Sequence, residues 1–435
     1  MMNRRFFLGS AIGAALAARV RPADADVTPA GTKPGWPPPV FQDDEQYWRT
    51  LRREFLIPND EAFFNTGTLG SSPRIVGETV IDHMRQVDAT IAHWDYKAGH
   101  PEYLTGYQPE TEIRAKIAAL VGASTEEIAL TQNATVGMNY VANGLPLQPG
   151  DEVILTDQEH PGGRTGWDLK AKRYGIYVKN VHVPVPPQNP QQLIDLFVNA
   201  STPQTKVWAI PMLTSQIAIR FPVQEMCRIA RERGIFTVID AAQICGHIHI
   251  DLHEMGCDTF YSSPHKWLLA PKGCGFLYVS ARRLPGMWAT LASSNWDNYR
   301  DGALRLMQIG TGNLSLLKGF DAAIEFHNRI GPDRVQARIF SLADRLRAGL
   351  RQIPQVTIWS PQHPEMTSGT TVWSLAGYNS TELMDGMWDR SKVRCRAMGD
   401  PYGVRQCCHI YNSPEEVDRT LATVREMIAG RRNAR

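Results

Sequence analysis

Residues 234–276 read GIFTVIDAAQICGHIHIDLHEMGCDTFYSSPHKWLLAPKGCGF. FTVID has the pattern of an apolar strand ending on Asp240, Gln243 follows three residues later, and Ser-Pro-His-Lys occupies 263–266. An acid at the carboxyl end of such a strand stands where a parallel sheet opens its ligand crevice. Lys266 adds a primary amine, with Ser263 and His265 as donors beside it. Singly, each has a plain explanation: a strand that happens to end in Asp, or a lysine snorkelling from an apolar segment. Together they supply what pyridoxal 5'-phosphate requires, namely an amine for its aldehyde, an anion for its ring nitrogen and anchors for its phosphate.

The flanking sequence repeats a strand-then-helix alternation, the pattern of an α/β sheet. EEIALT (126–131) reads as a short strand that runs into Gln132-Asn133-Ala134-Thr135 and a helical VGMNYVANGL. A helix that begins directly after a strand offers free backbone N–H groups to an anion, which makes the Ala134 N–H and the Thr135 hydroxyl phosphate donors. The plain alternative is that Asn133 and Thr135 only cap the helix. DEVILT (151–156) leads to Glu159-His160-Pro161, and TKVWAIPMLTS (205–215) brings Thr214 or Ser215 toward the same crevice. FPVQEMCRIARERG is a helix stopped by Gly234, and KGCGFLYV is a further strand. From about Leu314 a long helical stretch through FDAAIEFHNRI and VQARIFSLADRLRAGL leads into the C-terminal part.

The order DAAQ, SPHKW, GCG resembles the class V aminotransferases of PLP fold type I, a family that includes cysteine desulfurases, kynureninases and isopenicillin-N epimerases. The likeness runs from FFNTGTLGSSP, which begins at Phe63, to YNSPEEVDR at 411–419. It is strongest to the isopenicillin-N epimerase-like branch, and within that to exported enzymes of pyoverdine siderophore maturation. The resemblance implies a large domain at 63–313 built on a mixed, mostly parallel seven-stranded sheet, and a smaller α+β domain at 314–435. It places His160 over the face of the cofactor, Asp240 on the ring nitrogen, Gln243 on the phenolic oxygen and Ala242 against the other ring face. It also implies a homodimer in which Thr311, in Gln308-Ile309-Gly310-Thr311-Gly312-Asn313, reaches the phosphate of the partner's cofactor. The carboxylate of the substrate falls to an arginine fork. VRCRA (393–397) makes Arg396 the first choice, and Arg405 in GVRQCCHIYN the second. The segment after Arg396, AMGDPYG, lacks the catalytic cysteine that one group of desulfurases carries there, which disfavours persulfide chemistry.

The amino terminus carries its own message. Asn3-Arg4-Arg5-Phe6-Phe7-Leu8, an apolar AIGAALAA and Ala23-Asp24-Ala25 form, in order, a twin-arginine export signal with a cleavage site, so 1–25 is read as a signal peptide. Its apolar run is far short of the roughly 20 residues that span a bilayer, and no permanent membrane span is expected. Residues 26–62 are a leader arm, Pro-rich at TPAGTKPGWPPPV. Export by the twin-arginine translocase would deliver a folded, cofactor-loaded enzyme to the periplasm.

A formal charge of +2 with 21% charged residues gives no basic nucleic-acid surface. Seven cysteines leave at least one unpaired; Cys227, Cys245, Cys257 and Cys274 sit in apolar segments and read as buried thiols, and no Cys or His spacing suits a metal. The expected enzyme moves protons at the α-carbon of an amine substrate through Lys266 or His160. The substrate is expected to be the glutamate of a siderophore precursor; the alternatives are an epimerase, an aminotransferase or a C–S lyase on a free amino acid. A non-catalytic periplasmic binder would have no use for the Lys266, Asp240, Gln243 and His160 set.

Overall fold

The computed structural model describes residues 44–93 and 110–433. The export signal and the Pro-rich run lie outside the described residues.

In chain order the strands are β1 (Ala62–Phe63), β2 (Ile128–Thr131), β3 (Glu152–Thr156), β4 (Tyr177–Val181), β5 (Thr205–Pro211), β6 (Phe236–Asp240), β7 (Thr259–Ser262), β8 (Gly275–Val279), β9 (Val356–Ile358), β10 (Thr370–Leu375), β11 (Val393–Arg394), β12 (Arg396–Gly399) and β13 (Gly403–Cys407). Seven of them form one sheet in the order β2-β8-β7-β6-β5-β3-β4. Only β8 runs antiparallel to its neighbours, so the sheet is mixed and mostly parallel, as the sequence implies. A second sheet, β12-β13-β10-β9, is antiparallel throughout, and β1 pairs in parallel with β11.

The central strands lack polar alternation because both faces are covered. Along β5, Trp208 and Ile210 enter one core with Ile154, Ile239 and Phe260. Val207 and Ala209 enter the opposite core with Val153, Val238 and Leu277. The edge strand β4 instead exposes Tyr177 and Asn180, which blunts an open edge. Gly234, at φ +70°, ends the helix Val223–Glu232 and hands the chain to β6.

The sequence pattern after Leu314 reads as one long helix; the structure breaks it into Leu314–Ile330 and Pro332–Arg351. Gly331 takes a φ of +98° and Pro332 opens the second helix, where its missing N–H costs nothing. The apolar period continues across the break because both helices bury one face, and that continuity hides the turn. The helix Asp44–Arg52 buries Tyr47, Trp48 and Leu51 and ties to the second helix through Arg334 to Asp44 and Arg338 to Glu45.

Candidate active site

The carboxyl ends of β2, β3, β5 and β6 and the turn after β7 converge on a cavity of about 280 Å³, closed from the other side by residues of β12, β13 and the 67–68 turn. Ala134, Thr135, His160, Asp240, Ala242, Gln243, Ser263, His265, Lys266, Arg396 and Arg405, scattered over 272 positions from first to last, all line it. This is the crevice position expected for a parallel sheet. Thr311 is exposed and does not line the cavity of its own chain.

Lys266 sits in the turn after β7, where its amide donates to Ser263 O at 3.1 Å. Gly70 N donates to His265 O at 2.9 Å, and a β-carbon on Gly70 would stand 2.0 Å from Lys266 O, so only glycine lets the two segments meet. Burial pushes the Lys266 amine down to about 8, with Arg405 and Arg396 adding to the shift and Asp240 opposing it. A neutral amine is the nucleophile toward an aldehyde. In cofactor-stripped protein the rate of attachment is therefore expected to rise with pH and level off above about 8, followed by stopped-flow absorbance. A rate that stays flat through that range would contradict the lowered value.

Asp240 ends β6, and its Oδ1 accepts from the Ala242 N–H at 2.9 Å. The first turn of the helix Pro161–Tyr174 comes so close that a β-carbon on Gly163 would stand 2.5 Å from Oδ2. Burial raises this carboxyl, while the Ala242 amide, Lys266 and His160 pull it back. Gln243 is fixed at both ends: its Nε2 donates to Gly67 O at 2.9 Å and its Oε1 accepts from Trp267 Nε1 at 2.7 Å. That leaves the second N–H of the amide for a ligand.

His160 caps the helix Pro161–Tyr174, its Nδ1 accepting from Gly162 N at 3.0 Å. The accepting nitrogen carries no proton, so the ring is neutral with its hydrogen on Nε2. Burial, reinforced by Lys266, lowers its pKa and holds it in that form. A ring so fixed can stack and donate; as a base it would first give up the Gly162 bond. Lys266, with its amine shifted toward the neutral form, is a second group in the cavity able to take a proton.

The phosphate end is legible in what lacks a partner. Asn133 is the cap, accepting from Val136 N at 3.0 Å, and Thr135 lies inside the first turn with its N–H and hydroxyl uncommitted within the described residues. The Ala134 N–H is already taken by Ser263 Oγ at 3.0 Å, so Ser263 faces an anion with its own hydroxyl hydrogen. His265 Nδ1 is buried with no hydrogen-bond partner. A helix amino terminus with three waiting groups suits a phosphate, and these residues fit pyridoxal phosphate.

Arg405 is 1% exposed; its Nη1 donates to Ser215 O at 2.6 Å and its Nη2 to Thr68 Oγ1 at 2.9 Å. Arg396 is exposed at the rim, and its Nη1 donates to Thr68 Oγ1 at 3.3 Å. Neither arginine is paired with an acid among the described residues. Arg405, the second choice from the sequence pattern, is thus buried and held from two sides, whereas Arg396, the first choice, is exposed. All seven cysteines are free and buried, and none lines the cavity. Burial pushes the Cys395 thiol up to about 12, which keeps that sulfur protonated.

Three further residues shape the site without a signal in the motifs. Tyr261 on β7 hydrogen-bonds Asp240, Trp267 holds Gln243, and Glu159, next to His160 in the chain, is buried with its carboxylate oxygen accepting from the Thr156 hydroxyl. Each hides in an apolar or turn context that a strand or loop explains equally well.

The Aminotransferase class-V family model matches residues 78–421. The chain is 30% identical over 403 residues to the isopenicillin N epimerase of Streptomyces clavuligerus, covering 88% of this chain and 98% of the relative. It is 28% identical over 411 residues to a probable cysteine desulfurase of Xylella fastidiosa, covering 89% and 96%. Among solved structures, the apo cysteine desulfurase of Thermococcus onnurineus NA1 superposes with a TM-score of 0.77 at 22% identity, covering 88% of this chain and 98% of that one. The C-DES variant with glycine covalently linked to its PLP cofactor gives a TM-score of 0.76 at 22% identity, covering 86% and 98%.

Proposed function

The chain belongs to the class V aminotransferase family, and from that membership we propose that it is a pyridoxal-phosphate enzyme that modifies the amine of a peptide or amino acid in the periplasm after twin-arginine export, its substrate being the glutamate of a pyoverdine-type siderophore precursor. When bound, pyridoxal phosphate supplies the electron sink for the substrate's α-carbon. Thr135, Ser263 and His265 would hold its phosphate, Asp240 its ring nitrogen and Gln243 its phenolic oxygen. Lys266 then takes and returns a proton at the α-carbon, and Arg405 grips a carboxylate.

The observation that carries the acidic substrate is the pair of arginines without acidic partners. One carboxylate needs one fork, and Arg396 leaves a second cation at the rim for a second acidic group. The export signal argues for a substrate that has already crossed the membrane. The test is incubation of holoenzyme with glutamate-ended peptide in deuterated water, read by mass. A product whose mass changes by more than the exchange of one hydrogen for deuterium supports tailoring of the amine; an unaltered precursor removes the reading.

A second reading, epimerisation, is favoured by the 30% identity to isopenicillin N epimerase. It predicts a product of unchanged composition with one deuterium at the α-carbon, so the same experiment separates the two.

We also propose a homodimer. Trp288, Leu291, Trp296, Tyr299 and Ile309 expose apolar surface just before Thr311, as a segment covered by a second copy would. Thr311→Ala is expected to weaken cofactor affinity about tenfold, the loss of one hydrogen bond to a charged phosphate, measured by equilibrium dialysis. Unchanged affinity would place Thr311 away from the partner's site.

A further inference from the structure

Thr68 lines the cavity, and its side chain meets both arginines. The hydroxyl accepts from Arg405 Nη2 at 2.9 Å and from Arg396 Nη1 at 3.3 Å, and it donates its own hydrogen to Asn65 Oδ1 at 2.8 Å. A hydroxyl has one hydrogen and two lone pairs, so these three bonds fill it. Arg405 has further holds, on Ser215 O at 2.6 Å and on Asn65 Oδ1 at 3.4 Å. Arg396, exposed on β12, is steadied by the Thr68 hydroxyl.

The hydroxyl is itself fixed in place. Phe64 N donates to Arg394 O on β11 at 2.8 Å, Cys407 N at the end of β13 donates to Phe64 O at 2.8 Å, and Thr68 N closes the turn onto Asn65 O at 2.9 Å. The segment that carries Thr68 is therefore stitched to the strand that leads into β12 and to β13 itself. Arg396 and Arg405 are register partners on these antiparallel strands, so their side chains leave the same face of the sheet. Like charges directly opposite one another repel, and with no acid paired to either among the described residues, an anionic ligand is what offsets that repulsion.

We propose that Thr68 is a positioning residue that sets specificity for a substrate with two carboxylates: its hydroxyl holds Arg396 at a fixed spacing from Arg405, so that the second cation is in place when the first has taken a carboxylate. An exposed arginine otherwise loses side-chain freedom at the moment of binding, and a hydroxyl that orders it beforehand lowers that cost. This inference rests on the acidic-substrate reading above and deepens it by naming the group that spaces the two cations.

The test is calorimetric titration of holoenzyme with glutarate, a dicarboxylate without an amine, and with butyrate, which lacks the second carboxylate. The wild type should prefer glutarate. Thr68→Val keeps the side-chain shape and removes the hydroxyl, and should cut that preference about fivefold, the worth of one ordered cation at a rim. Thr68→Ser returns the hydroxyl and should restore the preference. Any loosening of Arg405 acts on both ligands and leaves their ratio alone. In an Arg396→Gln background, Thr68→Val should therefore change the ratio little, because the two residues act through one contact. A preference that survives in Thr68→Val, or effects of Thr68→Val and Arg396→Gln that simply add, would overturn the role of Thr68. A preference that Thr68→Ser fails to restore would overturn it too, by assigning the effect to packing. Wild-type holoenzyme that binds both ligands alike would instead remove the acidic-substrate reading on which the proposal rests.

Discussion

Lys266→Ala is expected to lower kcat/KM by about 10³-fold or more while leaving the protein folded, the loss associated with removing the group that both attaches the cofactor and moves the proton. Both roles follow from position. Lys266 lines the cavity together with Asp240, Arg405 and Arg396. Burial has already lowered its affinity for a proton, so the neutral form is accessible at the pH where a base must work. Because the charged form is disfavoured there, truncation removes little folding energy, and circular dichroism and the thermal midpoint should stay near wild type. The phosphate cradle at Thr135, Ser263 and His265 does not depend on Lys266. The variant should therefore still bind pyridoxal phosphate, reversibly, and lose only the lysine-linked absorption. Retention of that absorption would point to a different lysine.

Arg405→Lys should lower kcat/KM by about 10²-fold, chiefly through KM. A lysine keeps the charge but cannot make two parallel hydrogen bonds to a carboxylate, a difference of roughly 2–3 kcal/mol. It would also release Ser215 O and Thr68, which the guanidinium now holds in the cavity wall. Arg396→Gln should cost less, about tenfold, and only with substrates that carry a second acidic group. Steady-state kinetics with an acidic and a neutral amino acid compares the two positions. If Arg396→Gln proves the more damaging with both substrates, the carboxylate fork is at the rim and the buried arginine is a support.

The large sheet was readable because its central strands are covered on both faces and therefore carry largely apolar runs. FTVID, with Gly234 before it and Asp240 closing it, is the clearest case. Lys266, Asp240, Gln243 and the 134–135 turn could be picked out because one cofactor needs those residue types and their order resembles that of the class V aminotransferases. What sequence did not resolve are properties of three-dimensional approach. Gly331 and Pro332 break a helix without interrupting its apolar period. Arg396 and Arg405 lie on adjacent, paired strands, and only their burial ranks them. Glu159 resembles any polar loop residue until the fold buries it against the Thr156 hydroxyl. The neutrality of His160 depends on a helix cap that its sequence neighbours, Pro161 and Gly162, permit but do not announce.

The central claim is that Lys266 holds pyridoxal phosphate and works on an acidic amine, and the most direct measurement is the absorbance spectrum of the purified mature protein before and after addition of a glutamate-ended peptide. The account predicts a visible band from lysine-bound cofactor that shifts on addition of the peptide and is missing in Lys266→Ala. A protein that stays colourless after reconstitution with pyridoxal phosphate, or a band that Lys266→Ala retains, would contradict it.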